Sequence, residues 1–307
     1  MGTVAKVVLF SPDKPLADSI SSLAFEEISR IENILSDYKV DSEVNNLTKI
    51  KHSRNKIKVS KDLWEVLRFG NYMSEISYGN FDITCGYFTK LWRECRENGR
   101  LPTTIELDKA KNKVGHRLIE YHPKSKEIRF LSDSIQLDFG GIAKGYASGK
   151  ALEVIEKAGI RKAFVDLGGD IVFNDSPPKK TSWTVGLSLS ISDAMPKYVY
   201  LNLKNESVAT SGSLYNNFNL NGIKYSHIVN PKTGIGLTAN IQVTIIAPSG
   251  MKADSYASAV SVLGFSKGRR LIENSQKIEG IIIEEKYGNT KWWASKGFLK
   301  KCSLKSL

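Results

Sequence analysis

Asp254 and Ser258 form a pair whose residue types and spacing suggest metal chemistry. They lie four positions apart, so in a helix both side chains project from the same face. A carboxylate and a hydroxyl, completed by a backbone carbonyl from elsewhere, are hard oxygen ligands suited to Mg²⁺. An Asp and a Ser near a helix start more often serve as a cap and its neighbour. The spacing therefore leaves a magnesium site and a helix cap both open.

The segment from Asp138 to Gly145 combines glycines with a lysine at the start of a predicted helix. Glycines let the backbone approach a ligand closely, and the helix start presents unpaired N–H groups that suit an anion. Lys144 would add a positive charge there. The segment matches neither G-x-x-x-x-G-K-[ST] nor G-x-G-x-x-G, so a nucleotide would be bound in a different way. A tight strand-to-helix turn with a surface lysine explains the same pattern.

His227 lies in a turn-rich loop that contains the pairs Asn230-Pro231 and Thr233-Gly234. Such pairs mark turns, and loops held by rigid elements often carry function. Histidine titrates in the range needed for proton transfer near neutral pH. A histidine that only makes hydrogen bonds within its own loop is the simpler alternative, and the sequence pattern leaves both open.

The elements that must position these residues follow from hydrophobic periodicity and from the turn residues between them. Strands follow one another without helices from residue 183 to residue 247, which favours antiparallel sheets in an α+β fold over a doubly wound fold. Gly159 ends the central helix. The predicted helices are 20–35, 63–76, 143–158, 253–263 and 268–273, with strands at 117–122, 127–131, 135–138, 163–167, 183–188, 197–203, 241–247 and 280–284 and an exposed loop at 177–180.

Composition places the chain of 307 residues among ordinary globular proteins, with 41% hydrophobic and 25% charged residues. The net charge of +12 would favour anionic partners. The lysines are scattered, however, and no basic stretch is interleaved with aromatic residues, so we expect no nucleic-acid partner. The three cysteines, Cys85, Cys95 and Cys302, are too widely spaced to indicate a zinc site or a disulfide framework.

Several short motifs, taken in order, resemble those of one known family: the FAD:protein FMN transferases, or ApbE family, formerly described as thiamine-biosynthesis lipoproteins. The resemblance covers nearly the whole chain. Each motif alone is weak, and their common order makes the resemblance specific. The motifs are Met1-Gly2-Thr3, Leu35-Ser36-Asp37-Tyr38 with Ser42-Glu43, Gly79-Asn80-Phe81-Asp82-Ile83-Thr84, Asp138 to Gly145, Asp166 to Asp170, Ala209-Thr210-Ser211-Gly212, the loop of His227, and Ala247-Pro248 before Asp254 and Ser258.

The resemblance implies an α+β fold of mostly antiparallel sheets with packed helices, an ApbE-like architecture related to the T-fold. We expect one domain over residues 1–307, with two intimately packed subdomains as the alternative. The resemblance also implies site residues. Magnesium would be held by the Gly141 carbonyl, Asp254 and Ser258, the catalytic base would be His227 or Asp254, and FAD would contact Met1, Tyr38, Asn80, Phe81, Asp82, Asp138, Lys144 and Ile228.

The implied reaction is the Mg²⁺-dependent transfer of the FMN moiety of FAD to a Thr or Ser hydroxyl of an acceptor flavoprotein, with release of AMP. A pyrophosphatase that splits FAD into FMN and AMP is one alternative, and a non-catalytic FAD-binding protein is another. Ser258 stands where Thr is commoner in the family, and Asn230 stands where Asp is common. Either oxygen can still serve a metal or a turn.

Family members are typically exported and often lipid-anchored, which implies a periplasmic protein or one anchored to the outer face of the inner membrane. This sequence has no lipobox cysteine near its start, no signal-peptide pattern and no run of 18 apolar residues. We therefore expect any membrane association to come from a segment outside this sequence, with a cytoplasmic location as the alternative.

Overall fold

The computed structural model of the protein describes residues 2–50, 55–133, 135–189, 198–212, 217–286 and 288–303. The helices are α1 (Lys14–Leu35), α2 (Glu43–Thr48), α3 (Lys61–Ile76), α4 (Gly86–Glu97), α5 (Thr104–Lys111), α6 (Ala143–Lys157), α7 (Gly250–Glu273) and α8 (Lys296–Lys301). The strands are β1 (Ala5–Leu9), β2 (Ile57–Lys58), β3 (Ile119–His122), β4 (Glu127–Phe130), β5 (Ala163–Leu167), β6 (Asp170–Phe173), β7 (Trp183–Ser188), β8 (Tyr198–Leu203), β9 (Ser207–Gly212), β10 (Phe218–Leu220), β11 (Ile223–Tyr225), β12 (Asn240–Ala247), β13 (Glu279–Lys286) and β14 (Asn289–Ala294).

The chain divides into two compact units, which are described separately. Unit 1 comprises the residues up to Ile31, Ile142–Gly212 and the residues from Ala239 onward. Unit 2 comprises Glu32–Gly141 and Ser213–Thr238. One domain over residues 1–307 stays a prediction. Among the described residues, no helix combines the length and the apolar character needed to cross a membrane.

Unit 1 is built on a seven-stranded sheet in the order β1-β5-β6-β9-β12-β13-β14. All neighbouring strands in it are antiparallel, which confirms the predicted α+β class. Helix α6 packs on β5 and β6, helix α7 packs on β9, β12 and β13, and the two helices pack on each other. Strand β12 lies between β9 and β13 and is buried along almost its whole length. The amide of Gln242 on β12 donates to the Ser188 carbonyl at the end of β7 (2.6 Å).

Unit 2 contains the three-stranded sheet β2-β4-β3 and the hairpin β10–β11. The indole Nε1 of Trp92 on α4 donates to the Ser226 carbonyl (3.0 Å), so α4 fixes the chain immediately before His227. The buried side chains that join α4 and α5 to the segment 218–238 are Phe88, Trp92, Ala110, Tyr225 and Val229.

The predicted helices are confirmed, and α1, α3 and α7 begin earlier than predicted. Helix α6 ends at Lys157, and Gly159 adopts a φ of 87° just beyond it, as a helix-ending glycine does. Helix α7 covers both segments predicted at 253–263 and 268–273, and the non-helical residue Gly264 (φ 73°, ψ 179°) separates them. Helix α1 begins well before residue 20, because Asp13 Oδ1 accepts a hydrogen bond from the Leu16 N–H and caps the helix there (2.9 Å).

Two strand predictions are wrong at particular residues. The segment 135–138 is not a strand: Gln136 forms an isolated bridge with Cys85, because the partner chain turns into α4 directly afterwards and offers no further ladder. Residues 117 and 118 belong to a short 3₁₀ helix, so strand β3 begins only at Ile119.

Some predicted boundaries shift, and several short elements were not predicted. The loop at 177–180 is exposed only from residue 178 onward, since Pro177 is buried. Residue 197, the predicted start of a strand, lies outside the described residues, and β8 is described from Tyr198. The elements that were not predicted are the helices α2, α4, α5 and α8 and the strands β1, β2, β6, β9, β10, β11 and β14. Strand β9, Ser207–Gly212, consists mostly of small residues, which carry little β propensity.

Candidate functional site

Asp170 begins β6 directly after the tight turn that joins β5 to β6. Gly168 and Gly169 form this turn with φ values of 65° and 94°, a region that residues with side chains rarely adopt. The Gly169 N–H donates to Asp166 Oδ1 (2.8 Å). Asp170 is only 3% exposed, so the turn delivers a carboxylate into the interior of unit 1.

Asp254 reaches that interior from the start of α7, where α6 and α7 make a backbone-to-backbone contact. A Cβ atom on Gly145 would lie 2.1 Å from the Gly250 carbonyl oxygen. At this close approach the Gly145 N–H, in the first turn of α6, donates to Asp254 Oδ2 (3.1 Å). The first turn of a helix favours a negative charge. The sequence predicted that the start of α6 binds an anion, and the carboxylate of Asp254 occupies that position.

The helix-cap explanation of Asp254 and Ser258 is wrong. Ser249 is the N-cap residue of α7, and its side chain makes no cap hydrogen bond. Asp254 lies more than a turn further along, and its carboxylate accepts from α6 rather than from its own helix. Asp254 and Ser258 do lie one turn apart on a single helix, as their spacing predicts.

Ser258 differs from the neighbouring serines of α7. The hydroxyls of Ser255 and Ser261 each donate to the carbonyl four residues earlier (2.7 and 2.9 Å). For the half-buried Ser258 no such bond is found among the residues that the structure describes. Its oxygen is therefore available to a ligand one turn beyond Asp254.

Lys144 places its ammonium group between the two buried carboxylates. Its Nζ is hydrogen-bonded to Asp170 Oδ2 and lies 3.6 Å from Asp254 Oδ1. Burial lowers the pKa of Lys144, but the charges of Asp254 and Asp170 outweigh burial and raise this pKa above its usual value. Burial and then the charge of Asp254 raise the pKa of Asp170. Two carboxylates thus share one ammonium group.

This arrangement changes the interpretation of Lys144. The lysine was predicted to offer a free positive charge to an anion, whereas its charge is engaged by two carboxylates of unit 1. The Ser148 hydroxyl lies 2.8 Å from the Lys144 carbonyl oxygen and 3.3 Å from that of Asp170, which ties α6 to β6. A contact between Lys144 and FAD stays a prediction.

Mg²⁺ fits the donor chemistry of this part of unit 1. Asp254 and Ser258 offer a carboxylate and a hydroxyl from successive turns, which are hard oxygen ligands of the kind that Mg²⁺ prefers. No group of three or more His, Cys, Asp or Glu side chains is arranged to hold a metal within the described ranges, so an ion here would also depend on hydroxyl and carbonyl oxygens. The third predicted ligand is the carbonyl of Gly141, which is the last residue of the segment Glu32–Gly141 of unit 2.

Tyr38 in unit 2 presents an exposed ring beside an ion pair. The residue is 74% exposed, and the guanidinium carbon of Arg93 lies 4.4 Å from the centre of its ring, a cation–π contact. Arg93 also donates to Asp37 Oδ2. Burial and then the charge of Asp138 raise the pKa of Asp37, although Arg93 opposes them.

A cavity of about 590 Å³ opens beside Tyr38. Asp138 follows two residues of its wall, Gln136 and Leu137, and its carboxylate accepts from the Gly140 N–H (2.7 Å). The predicted FAD contacts Tyr38 and Asp138 therefore belong to one region of unit 2. The charged side chains of the wall are Asp37, Lys49, Lys90, Arg93, Glu94 and Glu97.

The segment Asn80-Phe81-Asp82 follows α3 and is held by hydrogen bonds within unit 2. The Asn80 amide donates to a backbone carbonyl three residues earlier (2.7 Å), and Phe81 is buried. Asp82, which is 7% exposed, accepts from the N–H and hydroxyl of Thr84 (2.8 and 2.7 Å) and from the His116 N–H (2.9 Å). The Asp82 carboxylate thus organises its own loop, and its contact with FAD stays a prediction.

His227 lies exposed in a loop that is tied down on both sides. The Ser226 N–H donates to the Leu237 carbonyl (2.7 Å), and the Leu237 N–H donates to the Ile228 carbonyl (2.9 Å). The Ile228 N–H in turn donates to the Ser226 hydroxyl (3.1 Å). The predicted turn is confirmed, because the two ends of 230–234 are joined by a backbone hydrogen bond (2.9 Å). The loop therefore holds His227 at a fixed place on the surface of unit 2.

Among the predicted site residues, the structure thus brings Lys144 close to Asp254 in unit 1 and places Tyr38 and Asp138 in one region of unit 2. It also adds Asp170 beside Lys144. The pair Gly168-Gly169 before Asp170, directly after a buried strand, was the available signal for a carboxylate turned inward. Arg93 was missed as well, and its place beside Tyr38 has no local sequence signal. Met1 lies outside the described residues.

The model of the ApbE family matches residues 1–282 of this chain. The chain belongs to the ApbE family. This confirms the resemblance found in the ordered motifs, and with it the expectation of an enzyme. The FAD:protein FMN transferase of Buchnera aphidicola subsp. Schizaphis graminum is 24% identical, over 98% of this chain and 88% of that protein. The protein of the same name from Treponema pallidum is 25% identical, over 92% of this chain and 82% of its own length.

Solved ApbE structures share the fold. The flavin transferase ApbE from Vibrio cholerae superimposes with a TM-score of 0.86 at 22% identity, covering 98% of this chain and 96% of that one. The ApbE protein from Thermotoga maritima gives a TM-score of 0.83 at 26% identity, with the same coverage of both chains. The predicted ApbE-like architecture is therefore confirmed.

Proposed function

We propose that this ApbE chain is a Mg²⁺-dependent FAD:protein FMN transferase. It would move the FMN moiety of FAD to a Thr or Ser hydroxyl of an acceptor flavoprotein and release AMP. Membership of the ApbE family supports flavin transfer. The observation that carries the metal dependence is the buried Asp254 carboxylate, which lies one turn from the Ser258 hydroxyl on α7.

Asp254 and Ser258 would hold the magnesium ion, and the resemblance adds the Gly141 carbonyl. Bound Mg²⁺ would offset the negative charge of the pyrophosphate and of the transition state. Asp254 suits this role because its Oδ2 is already fixed by the Gly145 N–H, so the carboxylate is oriented before any ion arrives. Preorganised groups of this kind lose little entropy on binding.

His227 would accept the proton of the acceptor hydroxyl. In the balanced step, the hydroxyl oxygen bonds to the phosphorus of the FMN half, the bond from that phosphorus to the bridging oxygen breaks, and AMP leaves with that oxygen. His227 is exposed on an anchored loop and can meet an incoming protein. Asp254 is buried and engaged by Gly145 and Lys144. The exposure of His227 favours it as the base over the buried Asp254, which would hold the metal ion.

The predicted FAD contacts form part of the same proposal. The exposed Tyr38 ring has Arg93 on one side and would stack on a flavin or adenine ring with its other side. The remaining contacts, taken from the resemblance, are Met1, Asn80, Phe81, Asp82, Asp138, Lys144 and Ile228. An export location, periplasmic or on the outer face of the inner membrane, is proposed on the same resemblance, and cell fractionation tests it.

Mass spectrometry of a candidate acceptor flavoprotein tests the transfer. The acceptor is incubated with this protein, FAD and Mg²⁺. We expect a mass gain equal to FMN minus water on a Thr or Ser, and no gain with Asp254→Ala. An unmodified acceptor together with fast stoichiometric AMP release, also seen without any acceptor, would instead identify the pyrophosphatase. Tight FAD binding without turnover would identify a non-catalytic FAD-binding protein.

A further inference from the structure

Asp170 is the closest partner of Lys144, although the proposed reaction gives it no role. The Lys144 ammonium is hydrogen-bonded to Asp170 Oδ2 and lies beyond hydrogen-bond distance, at 3.6 Å, from Asp254 Oδ1. Asp254 Oδ2 is occupied by the Gly145 N–H. Oδ1 is therefore the oxygen of Asp254 that faces a cation, and the cation it now faces belongs to the protein.

A full hydrogen bond between Lys144 and Asp254 Oδ1 would work against a metal ion. The ammonium group would neutralise the carboxylate, and its positive charge would repel a divalent cation placed beside it. Without a bound ion, the lysine offsets the charge of Asp254 and Asp170, which would otherwise be two unneutralised buried carboxylates. The lysine must also be held off the coordinating oxygen.

The place of Asp170 is fixed by backbone structure rather than by Lys144 alone. Asp170 follows the two glycines of the β5–β6 turn, is 3% exposed, and has its carbonyl oxygen 3.3 Å from the Ser148 hydroxyl of α6. The same hydroxyl donates to the Lys144 carbonyl (2.8 Å). The two partners of the ion pair are therefore carried by elements that are joined to each other.

We propose that Asp170 is a positioning residue that holds the Lys144 ammonium away from Asp254 Oδ1 and so keeps this carboxylate available to Mg²⁺. The inference rests on the proposed magnesium site at Asp254 and Ser258. Asp170 itself is not a ligand in this proposal. It sets the affinity of the site through the lysine.

Calorimetric titration of the full chain with Mg²⁺ alone tests the proposal. Asp170→Asn keeps the shape of the side chain but removes the charge that holds Lys144, so the ammonium shifts to Asp254. We expect Mg²⁺ affinity to fall by roughly tenfold to a hundredfold, the range of one charged hydrogen bond. Adding Lys144→Met to Asp170→Asn removes the competing ammonium, and the affinity should return to within about threefold of the wild type or exceed it.

A purely structural role for Asp170 gives a different pattern. The double variant would then bind Mg²⁺ as weakly as Asp170→Asn or more weakly, and that result would overturn the proposal. Glu206→Gln is the matched control, because it breaks the Lys301–Glu206 ion pair of unit 1 (2.7 Å) and should leave Mg²⁺ affinity unchanged. Should Asp170→Asn fail to fold in thermal unfolding, Lys144→Met alone decides: tighter Mg²⁺ binding supports the proposal, and weaker binding contradicts it.

The same titrations separate this inference from the proposed function. If the wild type binds no Mg²⁺, or if Asp254→Ala binds it equally well, the magnesium site itself is wrong. If the wild type binds Mg²⁺, Asp254→Ala does not, and Asp170→Asn matches the wild type, then only the role of Asp170 is wrong.

Discussion

Gly145 on α6 and Gly250 on α7 touch backbone to backbone, and the position of Asp254 depends on this contact. A Cβ atom on Gly145 would lie 2.1 Å from the Gly250 carbonyl oxygen and 2.9 Å from Asp254 Cβ. The obstacle is backbone, so no flexible side chain can move aside. Because the helices come this close, an amide in the first turn of α6 can reach a carboxylate on α7.

Gly145→Ala should force α6 and α7 apart. We expect a loss of about 1–3 kcal/mol in the free energy of unfolding, the range for overpacking in a core, and weaker Mg²⁺ binding because Asp254 loses its amide donor. Gly149→Ala is the control on the same helix, since nothing lies within 4 Å of a Cβ at that position. Alanine there should be neutral or stabilise by up to about 1 kcal/mol. Urea unfolding of both variants measures the difference, and equal effects would argue against the contact.

The sequence predicted the two long helices and several buried strands of unit 1, because hydrophobic periodicity and glycine punctuation agree there, but it missed the strands β1, β6, β9 and β14. The central helix, its Gly159 end and the buried strand 163–167 all follow local rules. The spacing of Asp254 and Ser258 likewise needed only the helical repeat. The prediction of a strand at 135–138 was wrong because its pairing is limited to one bridge between Gln136 and Cys85, after which the partner chain enters α4.

The ion-pair cluster of the candidate site could not be predicted in the same way. Lys144, Asp170 and Asp254 are far apart in the chain, and their meeting depends on the sheet order and on the glycine contact between α6 and α7. Local rules describe Lys144 as a surface lysine. Only the fold shows that two buried carboxylates engage its charge.

Arg93→Ala should destabilise unit 2 through Asp37. The Asp37 carboxylate is mostly buried, its pKa is already raised by burial and by the charge of Asp138, and Arg93 is the cation that stabilises its ionised form. We expect the free energy of unfolding to fall by about 1–3 kcal/mol at neutral pH. This is less than for a fully buried ion pair, because both side chains are partly exposed. Urea unfolding checks the value. Asp37→Asn combined with Arg93→Ala should recover part of it, and no recovery would mean that Arg93 acts through packing alone.

Glu106 should make a small part of the free energy of unfolding depend on pH in the acidic range. Its pKa is lowered from 4.5 to about 2, first by the Arg100 hydrogen bonds and then by those from Thr103. Because the unfolded chain binds the proton more tightly, this contribution is present above pH 4.5 and is lost as the pH falls towards 2. Glu106→Gln removes the charge and retains a residue that fits a capping box. The difference in unfolding free energy between the two proteins should shrink over that window and also in high salt, whereas a difference independent of pH would contradict the assignment.

His227→Ala should separate binding from catalysis. The loop is held by backbone hydrogen bonds on both sides of the histidine, so removal of the imidazole should leave the fold and FAD affinity nearly unchanged. Transfer of FMN to the acceptor should fall by ~10²–10⁴-fold, the usual contribution of a general base. Quenching of flavin fluorescence measures binding, and mass spectrometry of the acceptor measures transfer. Imidazole added to the solution should restore part of the lost rate if the missing group is a base. Near-normal transfer with intact FAD binding would remove His227 from the mechanism and leave Asp254 as the remaining candidate.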